Sequence, residues 1–140
     1  MKLGIFAVGR LKSGPEKELV ARYLDRLKKT GRAQGIDFSK VTEIAESRAG
    51  NAETRKREEA SALENTLSPE TVLILLDEHG KSMDSVAFSG AIEKYRDQGK
   101  REIIFAIGGA DGLDPALRTR ADLTVTVSYT HLTLPTKRIV

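Results

Sequence analysis

Apolar positions along this chain fall into two kinds of run. Unbroken or nearly unbroken stretches occupy Lys2–Val8, Thr71–Leu76 and Glu102–Ile107. Stretches of that length, rich in Ile, Leu and Val, predict strands buried on both faces, as parallel sheets contain. Phe38–Ile44 is a weaker strand pattern, and Leu123–Val127 a last short one. Between them the apolar spacing becomes helical. Ser13, Gly14 and Pro15 open a first helix, with Pro15 suited to its first turn. Leu19, Val20, Tyr23, Leu24 and Leu27 form its apolar stripe, and Gly31 is its expected C-terminal glycine. Asn51–Leu67 predicts a highly charged helix with a thin stripe of Ala60, Leu63 and Leu67. Ser85–Gln98 predicts a third, with Val86, Ile92 and Tyr95 inward, and Asp114-Pro115 caps a short fourth. The order β-α-β-α-β-α-β-α-β predicts an α/β fold: one mostly parallel sheet with flanking helices and right-handed crossovers.

The 140 residues suffice for one domain with a real core. The sequence holds no apolar run long enough to span a bilayer, and Lys2–Ala7 is of strand length rather than a signal peptide core. A cytoplasmic location is therefore the expectation. Cysteine is absent, which excludes disulfides and Cys-based metal or redox chemistry. The formal charge is +3, a slim argument for a nucleic-acid partner, because most charges lie in mixed-sign runs such as Glu53–Glu59 that read as a solvated helix face. Lys28, Lys29 and Arg32, then Lys94, Arg96, Lys100 and Arg101, are less mixed. A polyanion could use them, and solubility explains them equally well.

Three places could carry chemistry. After Ile103–Ile107 the chain reads Gly108-Gly109-Ala110-Asp111-Gly112-Leu113, with three glycines within five positions. Glycine permits φ > 0 and close backbone approach. The carboxyl edge of a parallel sheet is where such folds bind ligands. The run matches neither GxGxxG nor GxxxxGK[ST], so dinucleotide and P-loop readings lack their motif. On spacing alone, a tight turn that simply needs glycine is slightly the better explanation. The second place is Leu75-Leu76-Asp77-Glu78-His79-Gly80-Lys81. If its strand neighbours the first, both turns open on one edge and make a pocket. Asp77, Glu78 and His79 could bind metal or move protons, but three adjacent turn residues converge poorly on one ion. Solvent-facing polar residues are the expectation. The third is Ala7–Lys12, whose Arg10 and Lys12 could meet phosphate, with surface charge the plainer reading. No Ser-His-Asp arrangement is visible, and His79 is the only histidine before His131, which argues against a histidine-dependent nucleophile.

Taken together, four segments resemble one family. They are Met1–Lys12, Tyr23-Leu24-Asp25-Arg26-Leu27, the L(D/E)xxGK-like turn Leu75–Lys81, and the IGG(x)(x)GL-like turn Ile107–Leu113. The family is ribosomal RNA large subunit methyltransferase H, of the SPOUT class, and the resemblance is collinear from Met1 to about Thr126. It implies an α/β fold whose C-terminal part is tucked into a trefoil knot, and a homodimer. It implies methyl transfer from S-adenosylmethionine to N3 of a pseudouridine in 23S ribosomal RNA of the large subunit. Leu76 and Gly108 match the family's cofactor-contacting positions, and Gly109 and Gly112 match the glycines that shape the second turn. No metal is implied, because in-line transfer from a sulfonium needs positioning of the methyl and nucleophile rather than a Lewis acid. Catalytic residues are not assignable, since the family's candidates lie beyond the resemblance. A non-catalytic RNA-binding α/β module is the competing reading.

After Thr126 the pattern changes. The family continues with a loop ending in Pro-His, a long helix and a tail rich in histidine and tyrosine, whereas this chain reads Val127 to Val140. Val127–Thr136 resembles a translated sequencing adapter. Residues 1–126 are thus expected to be the methyltransferase-like domain and 127–140 a non-native tail. Without Lys137 and Arg138 the formal charge becomes +1. The missing helix would wall the cofactor site and supply much of the dimer contact. Each large apolar side chain it buried would contribute about 1.5–3 kcal/mol, against a total stability of roughly 5–15 kcal/mol. The 140-residue chain is accordingly expected to be an inactive fragment, unstable or unable to bind S-adenosylmethionine.

Overall fold

A computed structural model describes residues 1–9, 14–109 and 111–126, apart from the side chains of Glu16 and Glu78. Its elements are β1 (Lys2–Val8), α1 (Pro15–Ala33), β2 (Asp37–Ile44), α2 (Ala52–Glu64), β3 (Thr71–Ser82), α3 (Ser85–Asp97), β4 (Glu102–Ile107), α4 (Pro115–Arg120) and β5 (Leu123–Thr126). The strands form one five-stranded sheet in the order β2-β1-β4-β3-β5, and every pairing is parallel. The alternating α/β order and the parallel sheet are therefore as the apolar pattern predicts. Val127, the expected last residue of the final strand, lies outside the described residues.

The sheet is covered on both faces, which is why its strands are apolar without alternation. On one face, Ala60 and Leu63 of α2 and Leu117 of α4 pack with Phe6, Leu73, Leu75, Ile104 and Ala106. On the other, Ile92 of α3 packs with Val72, Ile74, Ile103 and Val125. Phe88 stands 5.9 Å from Phe105, ring centre to ring centre, on that side. Three helices begin with a side-chain cap: Asn51 accepts from the Thr54 N–H at 2.8 Å, Asp84 from Ala87 at 2.7 Å and Asp114 from Ala116 at 2.8 Å.

Four expectations need correction. Gly31 lies inside α1, and the left-handed position after the helix belongs to Gly35, with φ +77°. Glycine is needed at 31 for a different reason: a Cβ there would stand 2.7 Å from the Ile36 carbonyl oxygen. Helix α2 stops at Glu64, and Leu67 reaches the core from the following turn. Val86 is 82% exposed; the inward stripe of α3 runs through Phe88, Ile92 and Tyr95, spaced four and three apart, and Val86 points elsewhere. Finally, the apolar stripe of α1 is largely uncovered, with Leu19, Val20 and Tyr23 at 48%, 43% and 58% exposure.

Candidate functional site

The β3–β4 ladder brings the two turns together. Leu76 and Ile107 are partners across it, so the half-buried Leu76 stands beside the residue that precedes Gly108. Ala7 of β1 partners Ile107 from the other side. The Gly9 N–H donates to the Ile44 carbonyl at 2.7 Å and ties the end of β1 to that of β2. Four strand ends thus meet on one carboxyl edge.

The glycines of the β4 turn serve distinct purposes. A Cβ on Gly108 would lie 2.9 Å from the Gly112 carbonyl carbon and from Leu113 Cγ, because the turn folds back on itself. The Gly112 N–H donates to the Gly109 carbonyl at 3.0 Å, and Gly112 has φ +87°. A Cβ on Gly109 would stand 2.9 Å from Val8 Cγ1 and 3.2 Å from Glu46 Oε1. The turn's own geometry therefore requires Gly108 and Gly112, and its neighbours Val8 and Glu46 require Gly109. An open space lies on the α1 side of the sheet, near the start of the turn.

That space is a cavity of about 580 Å³ between α1 and the sheet, lined by Ile5, Ala7, Val8, Val20, Leu24 and Ile107, with Lys17 and Glu43 its charged members. Its volume falls within the roughly 300–1,000 Å³ of small-molecule sites. Ile107, one residue before Gly108, is 42% exposed. Across the sheet the gap between Phe6, Leu63, Leu117 and Gly112 is only about 10 Å³, room for one water. Of the expected cofactor residues, Leu76, Gly108, Gly109 and Gly112, none lines the larger cavity, which meets the turn only through Ile107.

The second turn differs from its sequence reading. Strand β3 continues to Ser82, but Leu76 and Lys81 both face Val125, so residues 77–80 bulge out between them. Gly80 lies flat on β5; a Cβ there would come within 2.6 Å of the Val125 carbonyl carbon. Asp77 is not solvent-facing as expected: its side chain is 12% exposed and paired with Arg118 of α4. Its carboxylate pairs with Arg118 and accepts from the His79 N–H at 3.3 Å. Burial pushes the Asp77 carboxyl up, but the His79 hydrogen bond and Arg118 outweigh it and hold it below the usual carboxylate range. His79 is exposed, and the side chain of Glu78 lies outside the described residues. Among the described residues no three His, Cys, Asp or Glu side chains assemble where a metal would bind.

The first turn has a partner that sequence reasoning missed. Arg55 of α2 donates from Nε to Asp111 Oδ2 at 2.7 Å and from Nη2 to Oδ1 at 3.1 Å, and its Nη1 donates to the Ala49 carbonyl at 3.0 Å. The hydrogen bond from Arg55 holds the Asp111 carboxyl below its ordinary range. Arg55 sits in the mixed-sign run that reads as a solvated face, and no spacing rule links it to a residue 56 positions away.

Arg10 and Lys12, the third candidate, lie outside the described residues, as do Ala110 and 127–140. The two less mixed basic groups do approach each other: Arg96 Nη1 donates to the Gln34 carbonyl at 3.1 Å, joining the ends of α3 and α1. Several of these charges are engaged. Lys29 pairs with Asp25 and Arg101 with Glu70, each at 3.1 Å, and Lys28 lies 5.8 Å from the Phe38 ring centre. They gather at the amino ends of the strands, opposite the glycine turn. Among the described residues no helix is long and apolar enough to cross a membrane.

Comparison with known proteins bears on this site. The profile of a family described as "Predicted SPOUT methyltransferase" matches residues 1–140. A Rhizobium etli (strain CFN 42) protein named ribosomal RNA large subunit methyltransferase H is 65% identical over 125 residues, 89% of this chain and 78% of the relative. Proteins of the same name from Sinorhizobium medicae (strain WSM419) and Rhizobium meliloti (strain 1021) are each 61% identical over 122 residues, 87% of this chain and 76% of theirs.

Proposed function

We propose that this chain, which belongs to the SPOUT methyltransferase family, derives from an enzyme that methylates N3 of a pseudouridine in 23S ribosomal RNA, with S-adenosylmethionine as donor. The observation that carries the reading is the Leu76–Ile107 pairing, which sets the two family-like turns side by side on one carboxyl edge of the sheet. When bound, S-adenosylmethionine supplies a methyl group activated by a positively charged sulfur. The chain's own part is binding and orientation. Leu76 and Gly108 contact the cofactor, while Gly109 and Gly112 give the turn its shape. The apolar lining around Ile107 excludes water, so that the reacting groups are held in line. A ribosomal RNA substrate agrees with the cytoplasmic location expected of the chain.

The domain responsible is 1–126, and 127–140 are foreign to it. The enzyme works as a homodimer, a reading supported by the uncovered Leu19, Val20 and Tyr23 on one helix. The test uses two proteins: the 140-residue chain, and a chimera in which 127–140 are replaced by the C-terminal segment of the Rhizobium etli relative. The chimera is expected to bind S-adenosylmethionine and transfer labelled methyl to ribosomal RNA, and the 140-residue chain to do neither. RNA binding without methyl transfer by the chimera would favour the non-catalytic module instead. Sequencing the locus from intact genomic DNA tests the tail: the same codons running on to this stop would make 127–140 native.

A further inference from the structure

We propose that Arg55 is a positioning residue for the β4 turn, holding it through Asp111 in the shape that accepts the cofactor; this rests on the reading of Gly108–Leu113 as a cofactor turn. A run with three glycines has little conformational preference of its own. It is braced on one side where Gly109 lies against Val8 and Glu46. On the other, Arg55 engages both carboxylate oxygens of Asp111, a fork geometry that permits a single orientation of the carboxylate. The third donor of Arg55, on Ala49, ties the same guanidinium to the segment after β2. That segment is held in turn by the buried Glu59, which accepts from the Ser47 N–H at 2.9 Å.

A purely structural role accounts for this less well. Helix α2 is already fixed to the sheet by the buried Ala60 and Leu63. The Arg55 and Asp111 side chains are 29% and 26% exposed, and pairs so placed add little to global stability. Their effect falls on the turn, whose ordering would otherwise be required at the moment of binding.

The test compares Arg55→Met, Arg55→Lys and Asp111→Asn. In the 140-residue chain, amide hydrogen exchange at Gly112 is expected to accelerate about fivefold in Arg55→Met and Asp111→Asn, and less in Arg55→Lys. Exchange at Leu73 and Leu75 should not change. In the chimera, the same variants are expected to weaken S-adenosylmethionine binding about fivefold with the thermal midpoint unaltered. Unchanged exchange at Gly112, equal acceleration at Leu73 and Leu75, or undiminished cofactor affinity would each overturn the inference. A parent chimera that binds no cofactor overturns the underlying site reading. The two failures are distinguishable because Gly112 exchange is read without cofactor.

Discussion

Asp77 at the end of the β3 ladder and Arg118 on α4 form an ion pair 41 residues apart in sequence. It is the counterpart of Arg55 with Asp111. Each of the two turns on the carboxyl edge carries an acid, and each acid is held by an arginine from the helices of the same sheet face.

Both acids have folded-state values below their ordinary range, and of the two pairs the one at Asp77, the less exposed acid, bears on stability. The stabilising contribution of Asp77 is therefore full above the unfolded value of about 4, and is lost as pH falls through it toward the folded one. Urea midpoints measured from pH 7 to pH 3 should show this loss on the acid side. Asp77→Asn should lower stability at pH 7 by about 0.5–1 kcal/mol, with the gap closing toward pH 3.

Gly108 and Gly112 should respond differently to substitution. At Gly112 the constraint is φ +87° with nothing near a Cβ, so Gly112→Ala costs about 1–2 kcal/mol and Gly112→Asn less, since asparagine tolerates that region. At Gly108 the constraint is a 2.9 Å approach to the Gly112 backbone, so Gly108→Asn should be at least as damaging as Gly108→Ala. Denaturation midpoints of the four variants separate the two causes.

Leu63 is 1% exposed at the centre of the α2 face, whereas Val86 is 82% exposed on α3. Leu63→Ala is expected to cost about 2–5 kcal/mol. Val86→Ala should stay within about 0.5 kcal/mol. Equilibrium unfolding of both checks that α3 turns Val86 outward.

On α1, Val20→Asp combined with Tyr23→Asp should leave the unfolding midpoint of the 140-residue chain nearly unchanged, because neither side chain is buried. In the chimera the same pair should convert a dimer to a monomer. Sedimentation velocity at several concentrations reads this directly.

Strand identity was legible because burial on both faces leaves an unbroken apolar run, as Thr71–Leu76 and Glu102–Ile107 have. Helix stripes were legible only in part. Periodicity finds the apolar side of α1 but not what covers it, and it admits Val86 to a stripe that Phe88, Ile92 and Tyr95 occupy. The glycine turn was visible as composition, yet the separate reasons for Gly108, Gly109 and Gly112 emerge only from the contacts each would make. Asp77 reads as a solvent-facing turn residue, and no role for Asp111 is legible, because Arg118 and Arg55 reach them across the fold.

The central ladder of the sheet joins Lys2 to Glu102. About 100 residues must therefore be present before β1 finds its inner neighbour, and until then it can pair only with β2. This is a topology of high contact order, and chains of that kind fold slowly and expose unpaired strand edges on the way. During synthesis, residues 2–44 emerge as a two-stranded parallel unit open at both edges, of which the β1 edge is the one β4 later covers. Closure waits for β4, so the last third of the chain decides whether the first third is sequestered from other chains.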